Sequence, residues 1–375
     1  MGRYRYWILA IVLNAALAAA VQAIAPAEPT LSDREKYEFV GTHVFTTDCT
    51  FYHRLYCYRV LVPAALERIP VNAEVRWRAY RWAAITVAGT VVSLTAISLT
   101  ATPWAAVTAA VVSHGSYGFA FTAYDPYSPD PAVFAMLAML AWCWLRDQWI
   151  LAFAIGLAGI FAKETVAIMS AATALAALLP PRRRSWRSWF AQGTGVVVLL
   201  FLYRWYMQTF QGWDIGPAAS LVQNDLVAGG WLSLWLKGNT PAAQLFLVFV
   251  VFGFGWWFAA FGYRAAPLEW RSLALGSALP FLALNWVQNP ERALGNLFFV
   301  VAPLAAIGLA RVPAGLAVPA ALLNAVITAR AATSSPWLPG ATYTLLPAAL
   351  TAGAAWWWWA WLRLIRFGGH LPKGG

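Results

Sequence analysis

Twelve apolar runs, separated by short connections rich in Pro, turn residues or charge, constrain this chain more than any other feature. They lie near residues 6–25, 82–101, 104–121, 131–146, 149–162, 164–179, 191–209, 241–263, 271–287, 293–310, 312–330 and 341–364. A helix satisfies its own backbone hydrogen bonds, so runs of this kind predict an all-α, polytopic membrane protein with about 12 transmembrane helices. Several runs are shorter than the roughly 20 residues that cross a bilayer, which predicts tilted or partial spans. Composition agrees: 61% of residues are hydrophobic and 11% charged, against about 25% charged in a soluble domain. The 23 Trp and 14 Tyr suit many water–lipid boundaries, where a ring with a polar tip settles.

The net charge of +11 does not indicate nucleic acid, because the Arg residues sit in small clusters beside apolar runs rather than on one basic face. They report topology. Arg3/Arg5, Arg146, Arg182–Arg184 with Arg187, Arg264/Arg271, Arg311 and Arg363/Arg366/Lys373 fall on one side of the twelve spans. That side is expected to be cytoplasmic, with both termini there and the chain in a bacterial inner membrane. Arg68, Arg76, Arg78 and Arg81 are the exception, left outside, and 58–70 is read as an interfacial helix. Residues 1–25 resemble a signal peptide in their basic start and Ala-Ile-Ala ending, but the long apolar run favours an uncleaved anchor. Either way 26–81 is outside, where Cys49 and Cys57 can form a disulfide if the compartment is oxidising. Cys143 lies within an apolar run, as a packing thiol.

Four constellations can carry chemistry. Lys163-Glu164 sits between two apolar runs with no polar loop around it, and charges are kept there where they face a cavity or partner, or where they snorkel to the interface. The first loop, 46–63, gathers Asp48, Tyr52, His53, Arg59 and further aromatics. That composition suits sugar stacking, phosphate pairing and a carboxylate base, or simply contact with lipid headgroups. Tyr124-Asp-Pro-Tyr-Ser-Pro-Asp130 holds two carboxylates, suited to acid–base work or a divalent metal. Asp130 is expected to cap the following helix, leaving Asp125 as the functional candidate. At 285–292, Arg292 can hold a phosphate oxygen through its planar fork, or mark the boundary with Glu291. His114, at mid-span, is read as a hydrogen-bonded packing residue. The 182–189 stretch, basic with interleaved Trp, is expected on the anionic inner leaflet. No nucleotide-binding, zinc-protease or serine-hydrolase motif occurs.

This layout resembles the GT-C superfamily of membrane glycosyltransferases, which includes protein O-mannosyltransferases and aminoarabinose transferases. The resemblance rests on a first helix, an outer loop with Asp48 followed by Tyr-Arg-Val-Leu-Val-Pro at 58–63, an outer Asp125, and Lys163-Glu164 between the fifth and sixth spans. It covers residues 1–210; 211–375 would add further spans and no soluble domain. It implies inverting transfer of a hexosyl or pentosyl unit from a polyprenyl phosphate to an acceptor on the outer face. Asp48 would be the base, with Asp125 supporting it or a metal. Glu164 would orient Lys163 or the acceptor. Lys163, Arg292 and Arg59 would face the phosphate, and Tyr52 and His53 would contact substrate. The same cavity would also serve a transporter or flippase of a lipid-linked precursor, although 1–190 and 191–375 show no internal repeat. A non-catalytic assembly protein would instead scatter these residues in space.

Overall fold

A computed structural model of the chain describes residues 2–24, 34–45, 54–125, 127–180, 184–213, 248–283 and 290–333. Among them every regular element is helical and no strand occurs. In order these are α1 (Gly2–Ile24), α2 (Arg34–Thr42), α3 (Arg54–Cys57), α4 (Leu61–Glu67), α5 (Ala73–Thr100), α6 (Pro103–Gly115), α7 (Tyr117–Tyr124) and α8 (Asp130–Arg146). There follow α9 (Trp149–Ile160), α10 (Thr165–Leu178), α11 (Trp186–Gln211), α12 (Gly255–Ala265), α13 (Leu268–Ala283), α14 (Pro290–Gly295), α15 (Phe298–Leu309) and α16 (Ala314–Thr333). By length and composition two described helices could cross a membrane, Arg5–Ala23 and Ala73–Thr100. Shorter apolar helices lie at Trp149–Ile160, Thr165–Leu178, Phe298–Leu309 and Ala314–Thr328.

The apolar runs map onto these helices, and the departures have local causes. The run expected from 82 begins at Ala73, because the Asn72 side chain accepts the N–H of Glu74 at 2.8 Å and caps a polar first turn. The run at 104–121 is two helices, broken at Ser116, whose backbone is extended and whose Oγ donates to the Ser113 carbonyl at 2.6 Å. A turn at 296–297 likewise splits the run at 293–310 into α14 and α15. In the run at 241–263, Gly253 adopts φ +54°, and the freed Phe254 N–H donates to Asn324 Oδ1 at 2.6 Å. The expected helix at 58–70 is α4 alone, following α3 after a short turn. The run at 341–364 lies outside the described residues.

Packing is dominated by small residues. Ala88, Ala96, Ala105, Ala109, Ala110, Ala138, Ala141 and Ala172 are all buried to within 1% of full enclosure, and they let backbones approach closely. At Gly262 a Cβ would run into the Leu304 carbonyl oxygen, and at Gly308 into that of Phe258, so α12 and α15 cross backbone to backbone. Polar groups join helices inside this layer. Asn14 of α1, fully buried, donates to Ser93 Oγ of α5 at 3.0 Å, and its Oδ1 lies 3.0 Å from His114 Nε2 of α6. The outer faces run the other way: Ile8, Leu9 and Val12 of α1, Phe201 and Leu202 of α11, Leu279 of α13 and Leu323 and Val326 of α16 are exposed. At the start of α5, Arg76 pairs with Glu67 and Arg78 with Glu74 at 3.0 Å, so two of the cations that break the charge pattern are neutralised locally.

Candidate functional site

The helical hairpin α9–α10 turns at 161–164, and its two arms are short, 12 and 14 residues. At about 1.5 Å per residue they span only roughly 18 and 21 Å, so the tip is recessed below longer neighbours. The 26-residue α11 shows by how much: Arg204 of α11 reaches Glu164, and α11 then continues to Gln211, roughly 10 Å further. The first loop fills the recess above the tip. Leu61 N–H donates to the Phe161 carbonyl at 2.9 Å, and the Tyr58 hydroxyl donates to the Trp213 carbonyl at 3.0 Å. Tyr58, Phe161, Tyr203 and Trp213 stack edge to face around this joint.

Docking the loop on the hairpin brings its charges together. Arg59 Nη2 donates to Glu164 Oε1 at 2.8 Å and Arg59 Nη1 to the Tyr37 hydroxyl at 3.3 Å, while Arg204 Nη2 stands 3.7 Å from Glu164 Oε2. Lys163 donates to Asp130 Oδ1 at the first turn of α8. Arg59, Lys163 and Asp130 are all at least 92% buried. Burial pushes the Glu164 carboxyl up, but Arg59, Lys163 and Arg204 together outweigh it and hold the group down to about 2. Among the described residues, three cations facing two carboxylates leave one positive charge. Within this cluster Arg59 Nε, Arg204 Nε and the hydroxyls of Thr165 and Tyr203 are buried without a hydrogen-bond partner, an unusual concentration of unused polar capacity. Beside the Lys163–Asp130 pair a small pocket is lined by Tyr117, Gly118, Phe121, Phe134 and Asn296, so the helix breaks before α7 and α15 both open onto it.

Of the residues singled out from sequence, Arg59, Lys163 and Glu164 therefore converge. Asp125 is buried and within electrostatic reach of Arg81. Asp130 does not play the expected capping role: Ser128 Oγ accepts its N–H at 3.2 Å, and the carboxylate goes to Lys163. Asp48, Tyr52 and His53 lie outside the described residues, as does the side chain of Arg292. Cys57 is disulfide-bonded, its expected partner Cys49 lying outside the described residues, and Cys143 is a free buried thiol. His114 is hydrogen-bonded as expected of a packing residue. Among the described residues no group of three or more His, Cys, Asp or Glu could hold a metal ion.

Sequence reasoning missed Arg204 and Asn296. Arg204 is a charge inside an apolar run, the same signal that singled out Lys163-Glu164, and could have been found by it. Asn296 carries no such signal, since it becomes notable only through the helix break it occupies. Comparison with protein-family models, with curated proteins and with solved structures found no match.

Proposed function

We propose that the chain is a polytopic membrane glycosyltransferase that moves a sugar from a polyprenyl phosphate to an acceptor hydroxyl at the outer face. The observation that carries this reading is the meeting of Arg59 with Lys163-Glu164, 105 residues apart for the Arg59–Glu164 bond, in a cluster that keeps net positive charge among the described residues and buried, unpaired N–H groups. The large apolar side chains exposed on α1, α11, α13 and α16 support a lipid environment. Among the described residues the cluster carries more cationic than anionic charge, and burying that surplus costs several kcal/mol unless a further anion repays it.

In this reading a loop carboxylate, Asp48 by the family resemblance, takes the acceptor's proton. The acceptor oxygen forms its bond to the anomeric carbon as the carbon–oxygen bond to phosphate breaks. The electron pair leaves on the phosphate, and Arg59, Arg204 and Lys163 hold the polyprenyl phosphate dianion as it forms. Glu164 keeps both arginines oriented before substrate arrives. The test is release of polyprenyl phosphate from a panel of radiolabelled polyprenyl-phosphate sugars by the purified full chain. Wild type is expected to release it from at least one donor, and Lys163→Ala to be slower by on the order of 100-fold, the scale seen when one charge-stabilising group is removed. No release from any donor, with polyprenyl phosphate failing to bind the folded protein, would sink the proposal.

A further inference from the structure

Of the two other cations in the cluster that breaks the charge pattern, Arg68 is exposed and Arg81 is buried, and Arg81 behaves differently from Arg76 and Arg78. It lies in α5 with 7% of its surface exposed, and among the described residues no carboxylate comes within ion-pairing distance of it. Its one hydrogen bond is a long one, Nη2 to Gln22 Oε1 at 3.5 Å. Nε and Nη1 of Arg81 and Nε2 of Gln22 are all buried without a partner. Three unused N–H-bearing nitrogens around one desolvated guanidinium form a donor-only pocket, and burying such a charge uncompensated is among the costliest arrangements a fold can carry. Asp125 acts on Arg81 only at longer range, and Arg78 repels it.

The position says what kind of group would complete it. Gln22 lies near the end of α1 and Arg81 two turns into α5, and Trp82, beside Arg81 and exposed, donates through Nε1 to the Ala15 carbonyl across the same seam at 3.0 Å. α1 and α5 are the two longest candidate spans, and α1 presents its apolar face outward. In the membrane reading the α1–α5 seam at this level is where a lipid headgroup meets protein, and Gln22, half-buried, stands beside the guanidinium with an unpaired amide Nε2. We infer that Arg81 and Gln22 bind the phosphate of a membrane phospholipid in the α1–α5 seam, separate from the Arg59–Lys163 cluster. A phosphodiester supplies acceptor oxygens and one negative charge, which the fork of an arginine matches. The inference rests on the membrane reading above and not on the transferase reading.

The test is native mass spectrometry of the full-length protein, released from detergent and titrated with phosphatidylglycerol. Wild type is expected to retain one phospholipid tightly, and Arg81→Gln to weaken that site by tenfold or more, on the order of one charge-assisted hydrogen-bond pair. Arg59→Gln should leave it unchanged. Because Arg81→Gln could unfold the chain, Gln22→Ala is the companion variant: it removes the second donor while the guanidinium stays and should weaken the site severalfold, and unchanged retention by this variant overturns the assignment as well. Equal lipid retention by wild type and a folded Arg81→Gln overturns the inference. So does saturation of the site by millimolar inorganic phosphate, which would mark a free anion, or displacement by polyprenyl phosphate alone, which would assign Arg81 to the transfer substrate. A wild-type protein that leaves membranes on carbonate washing and binds no lipid would overturn the membrane reading itself.

Discussion

At the scale of single residues, Glu164 bears the most weight, because its two oxygens hold arginines from two distant segments. Glu164→Gln would leave both guanidinium groups facing a neutral amide, and we expect a loss of up to about 3 kcal/mol, read as a lower midpoint of thermal unfolding in detergent. The pH dependence has a definite direction. The carboxyl is held at about 2 in the folded chain against an ordinary 4.5, so the unfolded chain takes up its proton first as pH falls. The stabilisation is complete above about pH 4.5 and disappears as pH drops through about 2. Wild type should therefore lose stability across that window, and Glu164→Gln should show a flatter acid limb. An unchanged limb would mean that Glu164 is not the group in question.

At the scale of elements, the helices with the strictest demands are α12 and α15. Gly262 and Gly308 face each other with backbone atoms in contact, leaving no space for a side chain on either. Gly262→Leu should force the pair apart by more than flexible neighbours can absorb, since the obstacle is the Leu304 carbonyl and not a rotatable side chain. The expected result is aggregation or a large drop in monodisperse yield after detergent extraction, whereas Gly315→Ala, where a Cβ meets nothing within 4 Å, should behave as wild type. The interrupted helices matter for a different reason. In the proposed membrane reading a backbone break persists only where it is buried in protein or lines a cavity, and the breaks before α7 and α15 both lie beside the Lys163–Asp130 pair.

At the scale of the molecule, the helices run alternately up and down. The turns at 68–72 and 161–164 are at the site end, and those at 147–148 and 266–267 are at the other, where Trp144 Nε1 donates to the Glu269 carbonyl at 2.9 Å. The site end is expected to be extracytoplasmic. In a Cys143→Ser background on spheroplasts, an impermeant maleimide should label Val71→Cys directly and Gln148→Cys only after permeabilisation; both positions are exposed. The reverse pattern would put the cation cluster inside and remove the case for an outer-face transferase.

What the sequence determined by itself was the helical character and the approximate place of the long apolar helices, because apolar length and backbone self-satisfaction are local properties, whereas α2 and α3 within the first loop were not legible. It also exposed Lys163-Glu164, since a charge with no polar surroundings is anomalous wherever it is folded. The partners of those charges were decided only in three dimensions. Asp125 and Asp130 share one short loop and similar chemistry, and it is the packing of α8 against α9 and α10 that brings Asp130 to Lys163. Arg81 looked like one of four similar arginines, and packing alone paired Arg76 and Arg78 with glutamates while burying Arg81 beside Gln22. Side-chain pairing between segments about a hundred residues apart depends on helix lengths and crossing, which composition leaves open.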